Sequence, residues 1–240
     1  MTFSENYFFA PHAEEGAFML PEDEAHHALK VLRLSADDVI YVTDGKGRIF
    51  ECKITLPGKT DIQVRTLRVT EAEPEKPDVI LCVGALKKPA FEALVEWACQ
   101  LPIMAIIPFL ADHSQVRREN VETMVKRASI KAVTALKQSR RAFLTEIRAP
   151  AAFDELLADH GFRVLFEKTE KPDALDEARL QQADRVTVLI GPEGGFSPRE
   201  MSEALKRKVP VLNFPWARLR AESAAFAAVI TLLTKMEKTP

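Results

Sequence analysis

Apolar positions along this chain follow two rhythms. Over roughly the first seventy residues they alternate in short extended runs. "DVIYVTDGKGRIFECKI" (38–54) reads as two strands around Asp44-Gly45, a hairpin signal. "DIQVRTLRVT" (61–70) has period two, which turns Ile62, Val64 and either Leu67 or Val69 inward. Short strands this close together, with one helical insertion before them, predict a small β-barrel over residues 1–70. The acidic stretch "EAEPEKPD" (71–78) has no apolar anchor and carries Pro74 and Pro77, so it reads as a linker.

From residue 79 to residue 240 the pattern becomes strand, helix, strand, helix. "DVILCVGAL" is a buried strand, and "PAFEALVEWACQL" sets Phe91, Leu94, Val95, Ala98 and Leu101 at helical spacing behind a proline start. "MAIIPFL" is a further strand, and Asn120 is positioned to cap a helix with Val121, Met124, Val125, Ala128, Ala132 and Leu136 on one face. "RVLFE" (163–167), "RVTVLIG" (185–191) and "VPVLNF" (209–214) add strands between helix-compatible segments. Alternating β and α segments with β-branched, apolar strands predict an α/β domain whose parallel sheet is covered on both faces.

Composition narrows the function classes. Apolar residues make up 47% and charged residues 28% of 240, with a net charge of −2, so any nucleic-acid affinity must come from local patches. "MTFSENYFFAPHAEEG" lacks the basic and apolar regions of a signal peptide, and no stretch approaches a membrane span of about 18 apolar residues. The three cysteines, Cys52, Cys82 and Cys99, form no C-x-x-C, which predicts a reduced, cytoplasmic protein. His26 and His27 would point about 100° apart on a helix, so no metal site is expected from them.

Two loops carry the candidate chemistry. In "VLIGPEGGFSPRE" (188–200) an apolar strand ends in a glycine-rich loop, and Ser197-Pro198-Arg199-Glu200 is a capping box that starts a helix. The loop has neither phosphate-binding glycine fingerprint, and Glu193 would repel a phosphate. Gly191, Gly194 and Gly195 allow a tight turn and close approach to a ligand. The second loop lies in "FPWARLRAESAAFAAVITLL" (214–233). A core helix accounts for Ala224, Ala225, Phe226, Val229, Ile230 and Leu233, but not for Arg218, Arg220 and Glu222 crowded ahead of it. Open α/β sheets bind ligands beyond the carboxyl ends of their strands, where both loops fall.

"LIGPEGGFSPRE" followed by "RLRAESAA", with "EAHHALKVLRLSADDVIYVTDGKGRIF" (24–50) ahead of them, resembles the signature of the RsmE family of SPOUT-class methyltransferases. The resemblance covers nearly the whole chain. It implies an N-terminal PUA-like barrel, a C-terminal SPOUT domain (79–240) with a deep trefoil knot, and a homodimer. It also implies methylation of N3 of a uridine in 16S ribosomal RNA within the 30S subunit, with S-adenosylmethionine as cofactor. That cofactor has no phosphate and a positive sulfonium, so Glu193 is no liability. Leu189, Ile190, Gly191, Pro192, Glu193, Gly194 and Gly195 would hold it from the first loop. Phe214, Pro215, Leu219, Ala221 and Ser223 would do so from the second.

Uridine N3 becomes nucleophilic only when its proton leaves. A positive group facing a uracil oxygen would favour the anion, and Arg220 is the candidate, with Glu222 holding it or accepting the proton. For RNA, His26, Lys30 and Arg33 fall at i, i+4 and i+7 of a predicted helix. Arg117, Arg118, Lys137, Arg140 and Arg141 lie in a second basic stretch, and Arg218 is a further contact.

Some positions depart from the family pattern. Pro215 and Arg140 stand where glycine is typical, Ala217 replaces an arginine, Arg218 takes an apolar position, and "WACQLPI" (97–103) replaces A-T-E-L-G-V. These departures bear on cofactor affinity and target. They keep open an RNA- or ribosome-binding protein with weak or lost catalysis, and a methyltransferase with another RNA target.

Overall fold

The alternating segments of the chain's first part become five strands in the computed structural model, which describes residues 6–57, 61–158, 160–215 and 218–236. They are β1 (Tyr7–Phe9), β2 (Ala17–Met19), β3 (Val39–Thr43), β4 (Arg48–Pro57) and β5 (Ile62–Glu71), with the helix α1 (Glu22–His26) between β2 and β3. The sheet order is β1-β3-β4-β5-β2, with β1 parallel to β3 and the other pairs antiparallel. Its inward positions, including Phe8, Ile40, Phe50, Ile54, Ile62 and Val64, are buried. The β3–β4 turn is closed by Asp44, whose Oδ1 accepts from the backbone N–H of Lys46 (2.8 Å) and Arg48 (3.1 Å).

The structure decides between Leu67 and Val69. Cys52 pairs with Thr66 and Glu51 with Arg68, so Leu67 is an extra residue in β5. The bulge leaves Leu67 exposed and returns Val69 to the core. The helical insertion also differs from expectation. After α1 the chain continues as a π-helical turn, His27–Val31, closed by a bond from Leu32 N–H to the His27 carbonyl (3.1 Å). Arg33 then takes φ = +56°, outside the helix. His26, Lys30 and Arg33 are all exposed, but the wider turn and early stop remove the single helical face.

The second part of the chain folds as β6 (Asp78–Gly84), α2 (Lys88–Ala98), β7 (Ala105–Leu110), α3 (Arg118–Ser139), β8 (Glu146–Ile147), β9 (Ala151–Ala152), α4 (Phe153–Leu156), β10 (Phe162–Phe166), α5 (Glu177–Gln181), β11 (Arg185–Ile190), α6 (Pro198–Lys206), β12 (Val211–Leu212) and α7 (Ala221–Met236). The sheet runs β12-β10-β11-β6-β7-β8, with β9 also on β7, and every pairing is parallel. Phe109, Phe153 and Phe196 pack together in its core, the first and last stacked at 6.1 Å.

Three local expectations shift. Strands β5 and β6 take both ends of the 71–78 segment. Helix α3 begins two residues before Asn120, and the Arg117 carbonyl accepts from the N–H groups of Asn120 and Val121. On α7 the buried face is Ala221, Ala225, Ala228, Val229 and Leu232, whereas Ile230 is exposed.

The chain divides into two compact units, Met1–Pro74 with Val133–Leu144, and Glu75–Ala132 with Thr145–Pro240. Lys137, Arg140 and Arg141 therefore belong to the first unit rather than to a continuous second domain. Within that unit the Arg141 carbonyl accepts from Tyr7 Oη (3.1 Å) and the Ala142 carbonyl from Thr43 Oγ1 (3.2 Å). Arg140 sits at φ = +55°, with bonds from Arg140 N–H to the Lys137 carbonyl and from Arg141 N–H to the Leu136 carbonyl. This is the glycine-type termination of a helix, built here around an arginine.

Candidate active site

Four neighbouring strands of the second unit, β12, β10, β11 and β6, release their carboxyl ends toward one cleft of about 860 Å³. Parallel sheets place ligand sites there because successive loops converge beyond the strand ends. The size suits a drug-sized or nucleoside-type ligand.

The glycine loop after β11 supplies Ile190, Gly191, Pro192, Glu193 and Gly195. Gly195 N–H donates to the Pro192 carbonyl at 2.9 Å, and Gly195 has φ = +71°. The loop lies hard against β6: a Cβ on Gly84 would sit 2.4 Å from Pro192 Cδ. On the far side Gly194 faces His113, whose Nδ1 is 3.2 Å from the Gly194 carbonyl.

The loop is anchored by the helix that follows it. Ser197 Oγ accepts from Glu200 N–H (3.1 Å), and Glu200 Oε2 accepts from Ser197 N–H (2.8 Å). The second oxygen of the buried Glu200 accepts from Asp112 N–H (3.0 Å). Asp112 in turn accepts from Ser197 Oγ at 2.5 Å and pairs with Arg199 at 2.9 Å. Arg199, then Ser197, hold the Asp112 carboxyl below its usual range. The capping box thus ties the glycine loop to the segment after β7.

The second loop contributes Asn213, Phe214, Arg218, Leu219, Arg220, Ala221, Glu222 and Ala224. Arg218 Nη2 donates to the Glu193 carbonyl (3.3 Å), so Arg218 is part of the cleft wall. Arg220 and Glu222 line the same cleft, and among the described residues no hydrogen bond or ion pair joins them. Glu222 sits in the first turn of α7, where its charge complements the helix dipole.

Four of the residues expected to touch a cofactor do not line the cleft. Leu189 is buried in the core beside β10. Gly194 faces His113. Pro215 is exposed. Ser223 follows Glu222 by about 100° on α7, away from the wall formed by Ala221, Glu222 and Ala224. Ala217 lies outside the described residues.

Other residues of the cleft were not anticipated: Lys87 just before α2 with Pro89, Ala90, Ala93 and Trp97 along it, and Phe166 at the end of β10 with Glu167 and Lys168 beyond it. A signal existed for both groups. Each follows a strand end, and Pro89, Ala93 and Trp97 recur every four residues opposite the buried face of α2.

Of the expected RNA contacts, Arg117 and Arg118 are exposed at the start of α3, with Arg118 3.7 Å from Glu122. Arg140 is exposed and Arg141 half-buried. Lys137 is committed elsewhere, 2.6 Å from the buried carboxylate of Glu24.

Comparison with known proteins is consistent along the whole chain. It is 25% identical over 229 residues to the ribosomal RNA small subunit methyltransferase E of Aquifex aeolicus, covering 94% of this chain and 98% of the relative. The protein of the same name from Rickettsia conorii is 27% identical over 235 residues, with coverage of 95% and 94%. A crystal structure of the Neisseria gonorrhoeae ribosomal RNA small subunit methyltransferase E bound to S-adenosyl methionine shares the fold, with TM-score 0.85, 21% identity, and 95% and 97% of the two chains covered. An RNA methyltransferase PUA domain profile matches residues 20–67, and an RNA methyltransferase domain profile matches residues 73–233. With most of its length matched by these profiles, the chain belongs to the RNA methyltransferase family.

Proposed function

We propose that this protein transfers a methyl group from S-adenosylmethionine to N3 of a uridine in 16S ribosomal RNA, in the cytoplasm and as a homodimer. The observation that carries the reading is the composition of the cleft. Gly191 and Gly195 put bare backbone in the cleft wall, and Phe166, Phe214, Ile190 and Leu219 supply apolar wall. Glu193 and Glu222 offer carboxylates to a positive centre, while Lys87, Arg218 and Arg220 on the same cleft suit an anionic acceptor such as RNA. These residues fit S-adenosylmethionine, which when bound supplies an electrophilic methyl group.

The protein's own residues then do four things. Walls on both sides of the cleft align the acceptor, which alone supplies several kcal/mol. Arg220 faces a uracil oxygen and stabilises the anion formed as N3 loses its proton. Glu222, which has no ion pair to Arg220, accepts that proton. Arg117 and Arg118 on one unit, and His26, Lys30, Arg140 and Arg141 on the other, hold RNA phosphates in a salt-dependent way. A closed PUA-like barrel and a trefoil knot belong to the same proposal, supported by the likeness in fold.

Dimerisation is supported by an apolar recess of about 400 Å³ formed by Trp97, Leu101 and Phe226 with Gln100. Exposed Ile230 lies on the same helix as Phe226. Apolar surface of this kind is what a self-complementary interface covers.

The test is transfer of tritiated methyl to 30S subunits lacking this modification, beside fully modified subunits. Label confined to the unmodified subunits supports the activity, and mapping the labelled base separates this target from another RNA. Cofactor binding without transfer to any ribosomal RNA would instead point to another RNA target, and loss of both binding and transfer would leave an RNA-binding protein.

A further inference from the structure

The cleft contains a carboxylate with no task in the scheme above. Glu167 directly follows β10 and is half-buried. Its Oε2 accepts from Phe196 N–H at 3.1 Å, and its Oε1 accepts from Lys168 N–H at 2.8 Å. Gly195 is fitted to it: a Cβ there would lie 2.9 Å from Oε2. Two backbone donors therefore fix the carboxylate in one orientation, and each oxygen retains a further acceptor position.

What stands beside it narrows the ligand. The neighbouring Phe166 ring stacks on Phe214 with centroids 4.9 Å apart, and both line the same cleft as Glu167. A flat apolar wall and a fixed pair of acceptors thus adjoin at the ends of adjacent strands. An ionised carboxylate only accepts, so its ligand must donate. A ribonucleoside meets both demands, with an apolar base face and a cis diol carrying two hydroxyl donors. Acidic residues near strand ends hold ribose hydroxyls in dinucleotide-binding folds by the same chemistry.

We propose that Glu167 accepts hydrogen bonds from the ribose hydroxyls of the cofactor's adenosine and selects the ribonucleoside over its deoxy forms. The assignment rests on the S-adenosylmethionine reading of the cleft. It gives Glu167 two linked roles: it braces the glycine loop through Phe196, and it presents its outward lone pairs to the diol. A diol left without its acceptor, or an acceptor without its diol, loses a hydrogen bond to a charged group.

Calorimetric titration with S-adenosylhomocysteine and its 2′-deoxy and 3′-deoxy analogues tests this on the wild-type protein and on Glu167→Gln. The wild type should bind at least one deoxy analogue about tenfold more weakly than the parent. Glu167→Gln should lose about tenfold for the parent and little for that analogue. Equal binding of all three ligands by the wild type overturns the assignment without reference to any variant. A uniform loss across all three in Glu167→Gln also overturns it, since the carboxylate would then act through the loop alone. Failure of the wild type to bind S-adenosylhomocysteine at all would remove the cofactor reading itself, and this assignment with it.

Discussion

One carboxylate oxygen of Glu24 accepts a 2.6 Å hydrogen bond from the Lys137 ammonium, while the other, buried oxygen has no hydrogen-bond partner among the described residues. A lysine read as an RNA contact is thereby engaged inside the first unit. Burial, the largest influence, raises the Glu24 carboxyl above its ordinary value of 4.5, and Lys137 opposes it. The proton is held more tightly in the folded than in the unfolded chain. The stability linked to it is fully present below the unfolded value and is lost as pH rises through the folded value. Thermal denaturation from about pH 4 to about pH 8 should show wild-type stability falling relative to Glu24→Gln. A pH-independent difference would contradict this account. Lys137→Ala strands the carboxylate and should cost about 3 kcal/mol at neutral pH.

Gly84→Ala tests the packing beneath the glycine loop. The new Cβ would meet Pro192 Cδ at 2.4 Å and Pro192 N at 2.5 Å, atoms that cannot swing aside as a flexible side chain would. We expect a loss of about 1–3 kcal/mol in denaturant unfolding. A disproportionate fall in S-adenosylmethionine affinity should accompany it. Wild-type affinity in a destabilised variant would show that the loop position is not set from β6.

Arg140→Gly addresses a departure from the family pattern. The backbone at 140 keeps φ = +55°, so arginine there bears a left-handed conformation that glycine adopts freely. Replacement should stabilise the protein by about 1 kcal/mol, read as a shift in thermal midpoint. If Arg140 grips RNA phosphate, the same variant should also lower the salt dependence of RNA binding by about one counterion.

Arg220→Ala separates chemistry from binding. Its side chain is exposed and lines the cleft, so folding and cofactor affinity should change little. Single-turnover methyl transfer should slow by about a hundredfold or more, as when one anion-stabilising group is removed. An unchanged rate would place the electrostatic role on another residue, with Arg218 the first to examine.

The parts of the protein legible in the sequence are those governed by near neighbours. The Asp44-Gly45 turn, the Ser197–Glu200 capping box, the apolar strand segments and the two loops after β11 and β12 are set by residues a few positions apart, and each leaves a periodic or chemical mark. The meeting of the glycine loop with Arg220 and Glu222 at one cleft was expected from such marks together with a family resemblance. What the tertiary structure alone decided involves partners distant in sequence. Leu67 is displaced by a register shift against β4, which no reading of β5 in isolation contains. The basic stripe on α1 dissolves because a π turn packs Ala28 into the core and stops early at Leu32. Residues 133–144 join the first unit because Tyr7, Thr43 and Glu24 receive them, about a hundred residues away in the chain. The start of α2 and Glu167 enter the cleft because a parallel sheet gathers the ends of strands that are neighbours in space and not in sequence. Local chemistry chose the pieces, and long-range packing, whose entropy cost is met only when the whole chain closes, chose their company.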